Sequence, residues 1–203
     1  MKTRNNLNSL LVLLVLLSLT NCSPGNKKEE ALESQNNANA TSEKATETIV
    51  PQFEVDENFQ QQLGHVFDAY VSLKDAFVSS DPQKVKSEAN ATSLAVNKVD
   101  MKLLTGAAHN DWMTFVAPME TSLKEIAGSP DIEVQRKEFS VLSDNLYKSI
   151  KAFGLGGKQA FYDYCPMAFE NEGAYWLSDN DKIQNPYFGD QMLNCGEVRE
   201  KLQ

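Results

Sequence analysis

The sequence predicts a mainly α protein, an up-down four-helix bundle followed by a small turn-rich C-terminal β segment. Three observations predict it. Between residues 56 and 155 apolar side chains recur at three- and four-residue steps, the period of helices that bury one face. Short breakers divide this region into four stretches: Ser79-Ser80-Asp81-Pro82, Gly106 and Gly128-Ser129-Pro130, with Gly154-Leu155-Gly156-Gly157 closing the last. After Gly157 the periodicity gives way to aromatic runs and turn formers.

The first helix is carried by Phe59, Leu63, Val66, Phe67, Tyr70, Leu73 and Phe77. Asp81 is a good N-cap for the second, and Pro82 suits a first turn, where its missing N–H costs nothing. That helix is expected to place Val85, Ala89, Thr92, Val96, Val99 and Leu103 on one face and to end at Gly106. The third shows Trp112, Val116, Met119, Leu123 and Ile126. Pro118 lies inside it and predicts a kink or a split. The fourth starts near Asp131 and carries Phe139, Leu142, Leu146, Ile150 and Phe153. Helices of this length joined by short turns form an up-down bundle. In the last segment, residues 156–203, Lys158–Cys165 and Gly173–Ser178 read as strands, with turns at Glu170–Gly173, Asn185-Pro186 and Phe188–Asp190. A segment this small has little core of its own and needs a staple, a metal or docking onto the bundle.

Two segments precede the bundle. Residues 1–21 have a basic start, Lys2 and Arg4 with no acid, followed by the uncharged run Leu10–Leu19. The run is shorter than the roughly 20 apolar residues of a membrane-spanning helix and fits a secretory signal peptide. It ends in Leu19-Thr20-Asn21-Cys22, which resembles the lipobox of bacterial lipoproteins, although Asn21 stands where a small residue is usual. The resemblance implies cleavage before Cys22 and a lipid on its thiol; the alternative is an ordinary signal peptide in which Cys22 is incidental. Residues 22–55 then read as a lipidated N-terminus and a disordered tether, rich in Asn, Ser, Thr, Glu and Lys and poor in apolar side chains until Phe53. The expected location is outside the cytoplasm, lipid-anchored to the cell envelope, facing the periplasm or the cell surface.

The chain carries 28 acidic and 19 basic residues; with Lys2 and Arg4 removed, 17 basic residues remain and the net charge is −11. That balance excludes nucleic acid as a partner, because phosphate neutralisation needs clustered Lys and Arg.

The candidate chemistry lies in sulfur. Cys165-Pro166-Met167 and Met192-Leu193-Asn194-Cys195 each place a thiol near a thioether. Together Cys165, Met167, Met192 and Cys195 form a soft donor set, which favours Cu(I), and by the same logic Ag(I), over hard cations. The alternative is a disulfide between Cys165 and Cys195, usual for an even cysteine pair in an exported chain and contributing roughly 3–4 kcal/mol. Met167 and Met192 would then be packing residues. His65 and His109 stand alone in helical sequence, His109 being a remote further ligand if the C-terminal segment docks near it. No phosphate loop, nucleophile elbow or His-Glu-x-x-His helix is present, so no enzymatic activity is expected.

The runs Tyr164–Phe169, Gly173–Ser178 and Ile183–Gly196, with Ala69–Ala76, Trp112 and Arg136–Ser143 upstream, resemble a domain-of-unknown-function family, DUF3347-like, of Bacteroidetes-type exported proteins and lipoproteins. The similarity spans residues 58 to 200. Related domains occur joined to adaptor subunits of Cus-type copper and silver efflux pumps. The resemblance therefore implies soft-metal handling, with an efflux adaptor or pump as partner. The expected function is a membrane-anchored binding module for copper or silver; the alternative is a structural or interaction lipoprotein stapled by Cys165 and Cys195, with no metal.

Overall fold

A computed structural model describes residues 50–203. The expected signal peptide, Cys22 and the expected tether up to residue 49 lie outside the described residues.

Four helices follow one another: α1 (Glu57–Val78), α2 (Pro82–Val96), α3 (Gly106–Gly128) and α4 (Ile132–Phe153). Three start on an aspartate. Asp56 accepts from the Asn58 N–H, Asp81 from those of Gln83 and Lys84, and Asp131 from that of Glu133. Each carboxylate satisfies N–H groups that a helix start otherwise leaves unpaired. α4 ends at Gly154, whose φ of 75° suits a residue without Cβ. Consecutive helices are packing neighbours, and α4 returns to α1, as an up-down bundle requires.

Two expectations about helix ends are corrected. α2 stops at Val96, so Val99 and Leu103 do not extend its face. They belong to a connection that contains a 3-10 turn, Met101–Leu103, capped by Asp100. Val99 and Leu104 still reach the core from there. Polar Asn97, Lys98 and Asp100 end the helix, and the Asp100 N–H is taken by Gln62 Oε1 at 2.7 Å. Gly106 consequently opens α3, at φ 58°, and does not close α2. Pro118 leaves α3 continuous over Gly106–Gly128. Proline removes one backbone donor there, while Val116, Met119 and Leu123 on either side keep their places in the core.

The chain docks earlier than the tether boundary at residue 55 implies. The Gln52 and Phe53 N–H groups donate to the Lys151 and Ala152 carbonyls, and Phe53 stacks on Phe153 with centroids 5.6 Å apart.

After Gly157 the chain forms a three-stranded antiparallel sheet in the order β2-β1-β3: β1 (Ala160–Cys165), β2 (Ala174–Ser178) and β3 (Glu197–Leu202). β1 and β2 match the two predicted strands. β3 was not foreseen: Glu197-Val198-Arg199-Glu200-Lys201-Leu202 is too charged to read as a strand and is held by pairing with β1. Between β1 and β2 the short helical turn Ala168–Asn171 has Phe169, Glu170 and Asn171 in the left-handed region, at φ 50°, 59° and 73°.

The sheet is docked on the bundle through α1 and α4. The buried Tyr70 hydroxyl meets Ser143 Oγ at 2.6 Å and accepts from the Leu177 N–H at 3.1 Å, so α1 covers the outer edge of β2. Tyr147 of α4 stacks on Tyr162 of β1 at 3.8 Å and donates to Glu200 of β3, which also pairs with Lys151. One apolar core runs through both parts, from Phe59 and Trp112 to Trp176 and Leu202. Docking meets the need for support that the sequence of the small segment predicts.

Candidate thiol site

Cys165 ends β1 and Cys195 lies two residues before β3. Antiparallel pairing of these two strands brings residues 30 apart in the chain together, and the two sulfurs stand 2.7 Å apart. Cys165 is fully buried; Cys195 is half-buried. The pair stands closer than two unbonded sulfurs and farther than a disulfide. The ordering of the second half of the site depends on Gly196, at φ 143°. A Cβ there would stand 2.7 Å from the Trp176 indole and 3.0 Å from the Tyr164 carbonyl. Only glycine lets the backbone cross the indole and deliver Cys195 to Cys165.

The loop leading to Cys195 is organised by Asn185, which is fully buried. Its side-chain amide donates to the Cys195 carbonyl at 2.7 Å, its backbone N–H to the Leu193 carbonyl at 2.8 Å, and its Oδ1 accepts from the Tyr187 N–H at 2.8 Å. The neighbouring Pro186 carbonyl accepts from buried Arg136 of α4 at 3.1 Å.

The two methionines are more exposed than Cys165. Met192 is half-buried on the turn into Cys195, whose N–H donates to the Met192 carbonyl at 2.9 Å. Met167 is 46 % exposed, two residues beyond Cys165. His65 is exposed on α1 and His109 half-buried on α3. Among the described residues no three His, Cys, Asp or Glu side chains gather into a metal-binding cluster, so neither histidine joins the thiols. The donor set that the structure brings together is therefore the two thiols, which fits a soft monovalent ion of low coordination number better than zinc, which takes four Cys or His ligands in its structural sites.

Burial, and then the contact with Cys165, push the Cys195 thiol up to about 11. An ion that binds Cys195 as thiolate must displace its proton.

Two further groups on the same sheet were missed by sequence reasoning. Asp163 lies two residues from Cys165 on the same face of β1, fully buried, directly across from Trp176. Ser178 donates to one of its carboxylate oxygens at 2.7 Å; the other has no partner, and neither has the Trp176 indole N–H. Burial raises Asp163 to about 6, against the opposing pull of Ser178 and Lys74. An acid set between Tyr162 and Tyr164 in an otherwise aromatic strand was the available signal.

Residues 66–158 match the family model described as protein of unknown function, DUF3347. The match begins in α1 and stops before β1, so the thiol pair lies outside it. No curated protein and no solved structure matches the chain.

Proposed function

We propose that the chain, whose residues 66–158 match the DUF3347 family model of unknown function, is a membrane-anchored envelope lipoprotein that binds copper or silver ions in metal handling or efflux. Cys165 and Cys195 are the primary ligands, and Met167 and Met192 supply the further sulfur. Cys22 carries the lipid, and the partner is a heavy-metal efflux adaptor or pump. The single observation that carries this reading is the meeting of the two thiols at 2.7 Å, with Cys195 open enough for an ion to arrive. Soft sulfur selects Cu(I) and Ag(I) over the hard cations. The resemblance to domains joined to copper and silver efflux adaptors supports the same cargo.

The sulfur separation also favours a second reading. Two sulfurs each about 2.3 Å from one ion sit about 3.8 Å apart in tetrahedral geometry, and farther apart on a two-coordinate ion, so the pair opens by about 1 Å or more to hold an ion. A disulfide, at about 2.05 Å, asks it to close by less. In that reading the chain is a structural or interaction lipoprotein stapled by Cys165 and Cys195, with no metal.

The test uses the full chain carrying Cys22→Ser, reduced, and titrated with Cu(I) against a competing chelator. One tightly held equivalent is expected, abolished in Cys165→Ser and at least tenfold weaker in Met192→Leu. Failure of the reduced protein to take copper from the chelator removes the metal reading and leaves the staple.

A further inference from the structure

The thiol pair is asymmetric. Cys165 is sealed at the end of β1, whereas Cys195 is half-buried on the loop that enters β3. A dissolved disulfide reaches the sulfur of Cys195 and not that of Cys165. We propose that the pair is a reversible disulfide switch in which Cys195 is the entry thiol, Cys165 is the resolving thiol, and closure fastens the strap 183–196 to the end of β1. The proposal rests on the same pair as the soft-ion reading and supplies its regulation, since closure withdraws both thiols from an ion.

The oxidant is a low-molecular-weight disulfide. The Cys195 thiolate attacks one of its sulfurs and releases one small thiol, which carries away the Cys195 proton. The Cys165 thiolate then attacks the Cys195 sulfur of the mixed disulfide and releases the second small thiol with the Cys165 proton. Two protein thiols are oxidised and one small disulfide is reduced. With the sulfurs at 2.7 Å, the second step needs little movement, so the mixed disulfide is short-lived. Reduction runs the same path backwards.

The strap gives closure a consequence. The Asn185 side-chain amide donates to the Cys195 carbonyl at 2.7 Å, and Arg136 donates to the Pro186 carbonyl at 3.1 Å and to Ser80 Oγ, in the turn between α1 and α2, at 2.9 Å. The route from thiol to bundle end is continuous, and the Cys165–Cys195 bond would add a covalent fastening to β1 at its other end. Opening that bond leaves the end of the strap that bears Met192 to the Asn185 hydrogen bonds and the pairing of β3 with β1.

The switch is tested without metal, on the full chain carrying Cys22→Ser, by adding oxidised glutathione and following intact mass, peptide maps and amide exchange. One glutathione should appear transiently on Cys195, followed by loss of two hydrogens from the protein. Amide exchange at Tyr187 and Cys195 should slow at least tenfold on closure. Two retained glutathiones, a first adduct on Cys165, or unchanged exchange after closure would overturn the proposal. In Cys165→Ala the adduct on Cys195 should persist. A measurement independent of any cysteine variant's folding is sub-stoichiometric alkylation of the reduced, otherwise unaltered pair: Cys195 should label at least tenfold faster than Cys165, and equal labelling overturns the assigned order. Because no copper is present, failure here leaves the ion reading standing, and a failed copper titration leaves the switch standing.

Discussion

The bundle and the sheet-bearing segment after Gly157 share one core but are built by different physics. Each helix of the bundle carries its own instructions: an aspartate that caps its start in α1, α2 and α4, an apolar stripe, and a polar or glycine stop. The last segment carries few. Its strands are short, its outer strand is charged, and its turn at Phe169–Asn171 is left-handed without a glycine among the three. What holds it comes from elsewhere: the Tyr70 hydroxyl on β2, Tyr147 and Lys151 on β1 and β3, Arg136 on the loop. A bundle can be read residue by residue; a docked cap is specified by its host.

The sharpest way to break that comparison is to remove a side chain both parts share. Phe139 is fully buried and its ring meets Tyr70, Phe77 and Tyr187, at 5.1, 4.6 and 6.0 Å. Phe139→Ala should cost about 3–5 kcal/mol, and urea unfolding followed by helix signal and by tryptophan fluorescence should stay a single shared transition. Two separated transitions would mean that the cap has a core of its own.

A smaller effect distinguishes the parts by pH. Asp163 is raised from 3.8 to about 6, so the native state holds its proton where the unfolded chain has released it. Folding stability from this group is therefore full below about pH 4 and declines as pH rises to about 6, losing about 1.4 kcal/mol for each pH unit crossed in that window. Around it stand Lys74 and Tyr70 of α1, Ser178 of β2 and Asp181 beyond it. Asp163→Asn should flatten that decline and stabilise the protein at pH 7 by about 1–3 kcal/mol. An unchanged pH profile in denaturant melts would show that the carboxylate is solvated in the native state.

Two local changes sharpen the contrast further. Asp81→Ala should cost about 1 kcal/mol, seen as a lower urea midpoint, because the first N–H groups of α2 lose their acceptor. Glu170→Gly should act in the opposite sense and stabilise by up to about 1 kcal/mol, seen as a higher midpoint, since glycine accepts φ near 59° without the Cβ penalty. If Glu170→Gly destabilises instead, the left-handed turn is held by its side chain and not merely tolerated.

These differences also explain what the sequence could reveal. The helices and both predicted strands were legible because period, cap and breaker are local signals. The end of α2 was misplaced because Val99 and Leu103 continue the apolar spacing although Asp100 begins a tighter turn. β3 was invisible because a charged edge strand has no local signature and is defined by its neighbour β1. At the site, Cys165 and Cys195 were legible as residue types, and the fold brings them together. Asp163 and Trp176 face each other only through the β1–β2 register, which a single sequence does not display.

The most direct measurement of the central claim is X-ray absorption at the copper edge of the full chain carrying Cys22→Ser, reduced and loaded with one equivalent of Cu(I). The account predicts a shell of sulfur alone, losing scatterers in Cys195→Ser. A shell containing nitrogen, or copper that does not stay with the protein, would contradict it.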